Sequence, residues 1–407
     1  MPRLPGRAWL AVVLGSLTAL GPMSIDMYLP ALPRLTERFG VGESAVQLTL
    51  TACLAGLGIG QLLVGPLSDS FGRRRPLLAG LAVYVIASVG CALAPSVAVL
   101  TVARLGQGLA GAAGVVIARA VVRDLYSGTA LARFFSMLML VNGLAPILAP
   151  VIGGQLIRVA PWQGVFVALA AYGALVLLGA AFGLPETLPA TARGRGSLRR
   201  TGRALGELLG DRRFVGYALA SGLLFAAMFS YISGSPFVLQ HVYGLSPQQF
   251  ALAFGANALG IMALGQLSGL LVRRVPPRRL LLAGLLLAVA GGSTLLATTV
   301  ASLGLPTVLP GLFAVVSSVG LVMPNATALA MSGRPEMAGG ASAVIGVLQF
   351  ALGAAAAPLV GTAGTTSAVP MAALMCALTV AALLAFSLLT RSRIAEPGET
   401  GGSAAGR

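Results

Sequence analysis

Asp26 lies in the segment Ser24, Ile25, Asp26, Met27, Tyr28, Leu29, Pro30, Ala31, Leu32, Pro33, inside an apolar run, where a carboxylate is out of place. Arg104 is the matching oddity of opposite sign, inside the apolar run 97–118. A charge within such a run faces a cavity or a partner and marks a transport path. Counting back from Pro30 puts Asp26 roughly 6 Å below the outer end of its run, and Arg104 is roughly 10 Å deep in its own at 1.5 Å per residue. Burial disfavours an ionised carboxyl and a nearby guanidinium favours it, so a changing distance between the two would load and release a proton. Two plainer readings stay open: Asp26 hydrates a helix end, and Arg104 is a structural ion-pair partner.

A second charged cluster reads Gly65, Pro66, Leu67, Ser68, Asp69, Ser70, Phe71, Gly72, Arg73, Arg74, Arg75. Its glycines permit a tight turn, and its carboxylate and guanidiniums suit breakable pairs that latch a gate. Asp124, following Arg119 and Arg123, is placed to pair with Arg73. A third stretch, Asn142 to Gly154, carries Gly143, Pro146, Pro150, Gly153 and Gly154. Prolines remove helix hydrogen bonds and small residues allow close approach, which suits a bendable face packed on another bundle. Tyr28, Phe225, Met228, Phe229, Tyr231, Asn257 and Gln349 offer an adaptable apolar wall with a few hydrogen bonds, and are candidates to line a substrate cavity.

The elements that hold these groups are membrane helices. Hydrophobic residues make up 57% and charged residues 9% of the chain, against roughly 25% charged in a soluble domain. Mean hydropathy is +0.91. About twelve apolar runs near the length a bilayer requires follow one another. They are 9–29, 44–64, 76–93, 97–118, 134–156 and 162–183, then 214–233, 248–271, 280–299, 308–328, 338–361 and 370–390. Each end is set to about two to four residues. The spacing predicts an all-α polytopic membrane protein of two pseudo-symmetric six-helix bundles. Residues 1–184 form one bundle, 185–213 a linker, 214–395 the second bundle and 396–407 a disordered tail.

All 27 basic residues are arginine, and the formal charge is +16. They gather in the linker and in every second inter-span segment, with Arg34, Arg38 and Arg158 on the other side and Arg104 within a run. That asymmetry is the positive-inside rule, so the charge reports topology, with both termini cytoplasmic, and not a nucleic-acid partner. The first run is long and lacks a convincing cleavage site, which reads as a span and not a removable signal. Cys53, Cys91 and Cys376 are scattered singly, with neither disulfide nor metal spacing. His241, the one histidine, falls in an outer loop. Gly60, Gln61, Leu62 recurs as Gly265, Gln266, Leu267, and the run from Leu77 to Leu81 as Leu281 to Leu285. The offsets, 265 − 60 = 205 and 281 − 77 = 204, point to two parallel halves.

Four patterns resemble the major facilitator family. Gly65 to Arg75 is similar to its G-x-L-x-D-x-x-G-R-R signature, although the second half keeps only Gly269, Arg273 and Arg274 and no acid. Leu100, Arg104, Gln107 and Gly108 resemble its L-x-x-x-R-x-x-Q-G pattern. The 142–154 stretch resembles the antiporter motif ending G-P-x-x-G-G, with Ala145 and Ala149 where the family usually has glycine. IDMYLPALP, ISGSPFVL and ASAVIGVLQF look like the Bcr/CflA branch of drug-resistance transporters. The resemblance implies proton-driven efflux of drug-like molecules from the bacterial inner membrane. It also implies a gate in which Asp69 engages a helix N-terminus of the opposite half.

Other classes fare worse. A membrane-embedded enzyme needs a catalytic cluster, and the spans hold no acid pair. A channel needs a continuous polar pore. With no lysine there is no phosphate-binding loop of the G-x-x-x-x-G-K type, so no nucleotide or other cofactor is expected and energy comes from a gradient. An importer or exporter of a sugar or other metabolite is the alternative within transporters. The expected partners are a small drug-like molecule, protons and the bilayer, and the chain is expected to act as a monomer.

Overall fold

In the computed structural model, residues 7–194, 206, 210–332, 338–362 and 367–390 are described. Most of the arginine-dense linker, Arg334 and the 396–407 tail lie outside them. Seven helices come first: α1 Arg7–Asp26, α2 Leu32–Phe39, α3 Glu43–Phe71, α4 Arg74–Ala92, α5 Val97–Leu125, α6 Gly128–Val159 and α7 Gln163–Gly183. After the linker come α8 Arg212–Phe237, α9 Pro247–Leu271, α10 Pro277–Val300, α11 Leu305–Met331, α12 Ala338–Thr362 and α13 Val369–Leu389. Among the described residues there is no strand, and twelve helical stretches are long and apolar enough to cross a membrane. The expected number of spans is therefore present.

Helices α1 to α7 pack on one another, as do α8 to α13, and the two bundles meet along α3 against α12 and α6 against α9. Close packing rests on glycine. A side chain on Gly56 of α3 would overlap the Leu105 carbonyl of α5, and one on Gly108 of α5 would overlap the Cys53 carbonyl of α3. In the second half Gly260 of α9 meets Ser317, and Gly320 of α11 meets the Ile261 carbonyl. Gly56 and Gly260 are 260 − 56 = 204 residues apart, so the repeat read from short matches is also a repeat of helix contacts.

Several run ends differ from expectation. The first span continues from Ala8 to Phe39, ten residues past the expected end (39 − 29 = 10), because the chain breaks and then resumes its helix. Pro30 has no N–H to give the Asp26 carbonyl four residues back. The chain therefore tightens into a 3₁₀ turn at Leu29–Ala31 before α2 begins. The seventh span does the same near Pro236, passing through a π-helical turn at Val238–Val242. Asp26 is thus 13 residues short of the end of this helical stretch (39 − 26), whose last part, α2, carries Arg34, Glu37 and Arg38.

The segment from Gly65 is also not a loop. α3 carries it helically through Phe71, Pro66 included, and only Gly72 and Arg73 turn the chain. Gly72 has φ +87°, and a side chain there would strike the Glu186 carboxylate, so glycine is required at that corner.

Candidate functional site

A cavity of about 530 Å³ lies between the bundles. Asp26, Phe225, Met228, Phe229, Tyr231, Asn257 and Gln349 all line it, with Pro146 from the 142–154 stretch. Helix α8 supplies the aromatic wall because its Phe225, Met228, Phe229 and Ile232 fall on one face at spacings of three and four. Phe225 packs on Phe229 at a tilt, with centroids 4.9 Å apart, and meets Phe350 edge-on at 5.6 Å. Asn257 donates to the Tyr231 hydroxyl at 2.8 Å, and Phe254 stacks on the Tyr231 ring at 5.3 Å. Gln349 donates to the Met323 sulfur at 3.3 Å.

Asp26 sits on this wall, 5% exposed, at the last residue of α1 before the break. Among the described residues it forms no ion pair and no hydrogen bond through its carboxylate. Arg104 does not pair with it and does not line the cavity. Its guanidinium is fully buried, donating to the Ser24 carbonyl at 2.8 Å and to Gln107 Oε1 at 2.6 Å. Tyr28 also leaves the expected set. It is fully buried beneath Arg104, 4.9 Å from guanidinium carbon to ring centroid, and its hydroxyl bonds Thr49 at 3.0 Å. Tyr28 follows Asp26 by two residues with helical backbone angles, which turns its side chain away from the face that Asp26 presents.

Among the described residues, four hydrogen bonds join the bundles at the end opposite the linker. Gln47 donates to the Ser233 carbonyl (3.2 Å), Thr51 to Ala354 (3.2 Å), Ser44 to Pro358 (3.4 Å) and Gln248 to Gly154 (2.7 Å). The cavity runs from this closed end toward the linker end, where Arg119 lines it and is exposed. Arg119 fits the arginine pattern that marks topology, and nothing in the order of residues shows which way it points.

Within the 142–154 stretch, three glycines each face a neighbour. A side chain on Gly143 would meet the Met262 sulfur at 3.1 Å, and one on Gly154 the Pro247 carbonyl at 3.2 Å, both across the bundle interface. Gly153 instead lets the Met27 carbonyl, at the break of the first span, come close. Pro150 is buried.

The Gly65 to Arg75 cluster sits at the linker end, within the first bundle. Arg73, its side chain buried, donates to Asp69 Oδ1 at 2.5 Å, to Ser68 at 2.8 Å and through Nε to Asp124 Oδ2 at 2.9 Å. Glu186, read only as linker, completes it by accepting the backbone N–H groups of Arg73 (2.8 Å), Arg74 (3.2 Å) and Leu188 (3.0 Å). Burial opposes its charged form, but those N–H groups and the Arg193 guanidinium outweigh burial and hold the carboxyl below its ordinary range. This support is present at neutral pH and is lost as pH falls through that lowered value. Asp69 here engages Arg73 of its own bundle. Its side chain is 54% exposed, against 17% for Asp124. Asp124→Asn is therefore expected to lower the melting temperature of the detergent-solubilised protein more than Asp69→Asn, by roughly 1 kcal/mol of extra destabilisation. Equal shifts in a thermal scan would contradict that ranking.

The family model described as Major Facilitator Superfamily matches residues 14–358. The chain belongs to that superfamily. This major facilitator protein is 41% identical to the uncharacterized MFS-type transporter YdgK of Bacillus subtilis (strain 168), over 96% of the chain and 97% of the relative. It is 32% identical to a bicyclomycin resistance protein homolog of Haemophilus influenzae, over 95% and 97%. Its fold is similar to that of a bacterial homolog of the human lysosomal transporter Spinster in an inward-facing, occupied conformation. That match has TM-score 0.73 at 16% identity, covering 95% of this chain and 96% of that one. The chain is a multi-pass membrane transporter, and among the described residues no group of three or more His, Cys, Asp or Glu is placed to hold a metal ion.

Proposed function

We propose that this transporter exports drug-like molecules from the bacterial cytoplasm in exchange for protons, by alternating access of one cavity to the two sides of the inner membrane. The observation that carries the reading is Asp26: a carboxyl on the cavity wall, with no ion-pair partner among the described residues, at a break in the helix that holds it. Such a group is free to exchange its proton with whatever side the cavity faces. The aromatic and methionine-bearing wall supports adaptable binding of apolar molecules, and the relative named for bicyclomycin resistance supports the substrate class. Arginine placement supports a cytoplasmic linker and cytoplasmic termini. The bundles are hydrogen-bonded at the opposite end, so the conformation is one that loads from the cytoplasm.

The test is expression in a pump-deficient bacterium, scored for resistance across a compound panel, together with acidified inverted vesicles. Drug addition is expected to release protons from the vesicle interior. Vesicles that hold their pH gradient through addition of every compound to which the protein confers resistance would overturn proton exchange.

A further inference from the structure

Two ionisable residues of opposite kind line the cavity wall, and the efflux reading uses only Asp26. The other is Arg119. Topology accounts for an arginine near the linker end of α5, but not for one that faces the cavity. Among the described residues no carboxylate pairs with Arg119, and it forms no hydrogen bond through its side chain, although Asp124 lies five residues on and is taken by Arg73. Arg123, one turn further along the same face, is likewise exposed and unpaired among the described residues. Positive charge thus continues from the linker end into the cavity.

Arg119 and Asp26 are also too far apart to neutralise each other. α1 and α5 run antiparallel, and Gly21 of α1 lies level with Val115 of α5. Asp26 is five residues beyond that level in one direction and Arg119 four in the other, and the closer approach of Gly114 to the Leu17 carbonyl sets them further apart still, so their backbones are separated by roughly 14 Å or more along the helix axes at 1.5 Å per residue. Phe225, Phe229 and Phe350 line the same cavity and pack on one another. An uncompensated cation beside an apolar, partly desolvated space favours an anion there far more than bulk water does. A planar guanidinium matches a carboxylate in two parallel hydrogen bonds.

We propose that Arg119 is the anion-binding residue of the cavity, and that its substrates include aromatic amphiphiles ending in a carboxylate, held with that group on Arg119 and the rings against Phe225, Phe229 and Phe350. The proposal rests on the efflux reading and gives it a substrate class. A matched pair of fluorescent probes tests it: a rhodamine with a free carboxylate and the methyl ester of the same dye. Both are measured by anisotropy on the full-length purified transporter and by transport in inverted vesicles.

The wild-type chain is expected to bind and move the carboxylate dye. Arg119→Gln is expected to weaken that dye's binding by roughly tenfold, the loss of one charge-assisted contact, while ester binding is unchanged. Arg119→Lys is expected to recover part of the loss. Wild-type protein that handles only the ester, or an Arg119→Gln chain that loses both dyes alike or neither, overturns the anion role and leaves efflux standing. Wild-type protein that neither binds nor moves either dye, and confers no resistance, removes the efflux reading and this proposal with it.

Discussion

Asp26→Asn is expected to abolish proton-driven export while the protein still folds and still binds substrate. Asn is nearly isosteric, and Asp26 makes no ion pair or side-chain hydrogen bond among the described residues whose loss would unfold the helix end. The fold therefore loses little. What disappears is ionisation, and a group that cannot change charge couples no proton, so substrate-induced proton release in inverted vesicles should fall by roughly tenfold or more. Downhill exchange of labelled for unlabelled substrate needs no net proton movement and should persist. Asp26→Glu keeps the titratable group one methylene further out and should restore part of the coupling. If the Asn variant drives uphill export at the wild-type rate, coupling belongs to some other group and Asp26 serves the helix break alone.

The number of spans and their order were legible because hydropathy reports a solvent boundary, and a bilayer imposes that boundary on every crossing helix. Which face of each helix looks inward was not. In α7, for instance, Phe166 is buried in the bundle while Phe182 is 88% exposed, yet both are phenylalanine. Lipid and protein core are equally apolar, so the periodicity that exposes a buried face in a soluble helix is absent. Six of the seven cavity candidates line the cavity between the bundles and Tyr28 does not, two residues from Asp26 and so on the other side of a helical backbone. Glu186 escaped notice because its function is to accept backbone N–H groups at a corner, and such partners leave no side-chain signal in a sequence.

Replacing Arg104 should reveal whether the break in α1 and the carboxyl beside it act as one unit. The guanidinium spans the gap: it donates to the carbonyl of Ser24, two residues before Asp26, and lies over Tyr28, two residues after it. Gln107, its other partner, in turn donates to Ser88 at 2.8 Å. Arg104 Nε and Nη2 form no hydrogen bond among the described residues, so the fork has capacity left for a further acceptor in another conformation. Arg104→Met fills similar volume but leaves the Gln107 carbonyl oxygen without its donor, which costs about 1–3 kcal/mol for a buried group. Transport should be lost and the melting temperature lowered. Arg104→Lys keeps charge but not the fork, so it should recover stability further than transport. The decisive measurement is the double variant with Asp26→Asn. Where the arginine works through Asp26, the second substitution adds little to the transport defect of the first; where it only props the helix, the two defects multiply. Multiplying defects would reduce Arg104 to a structural residue and leave Asp26 to exchange its proton unaided.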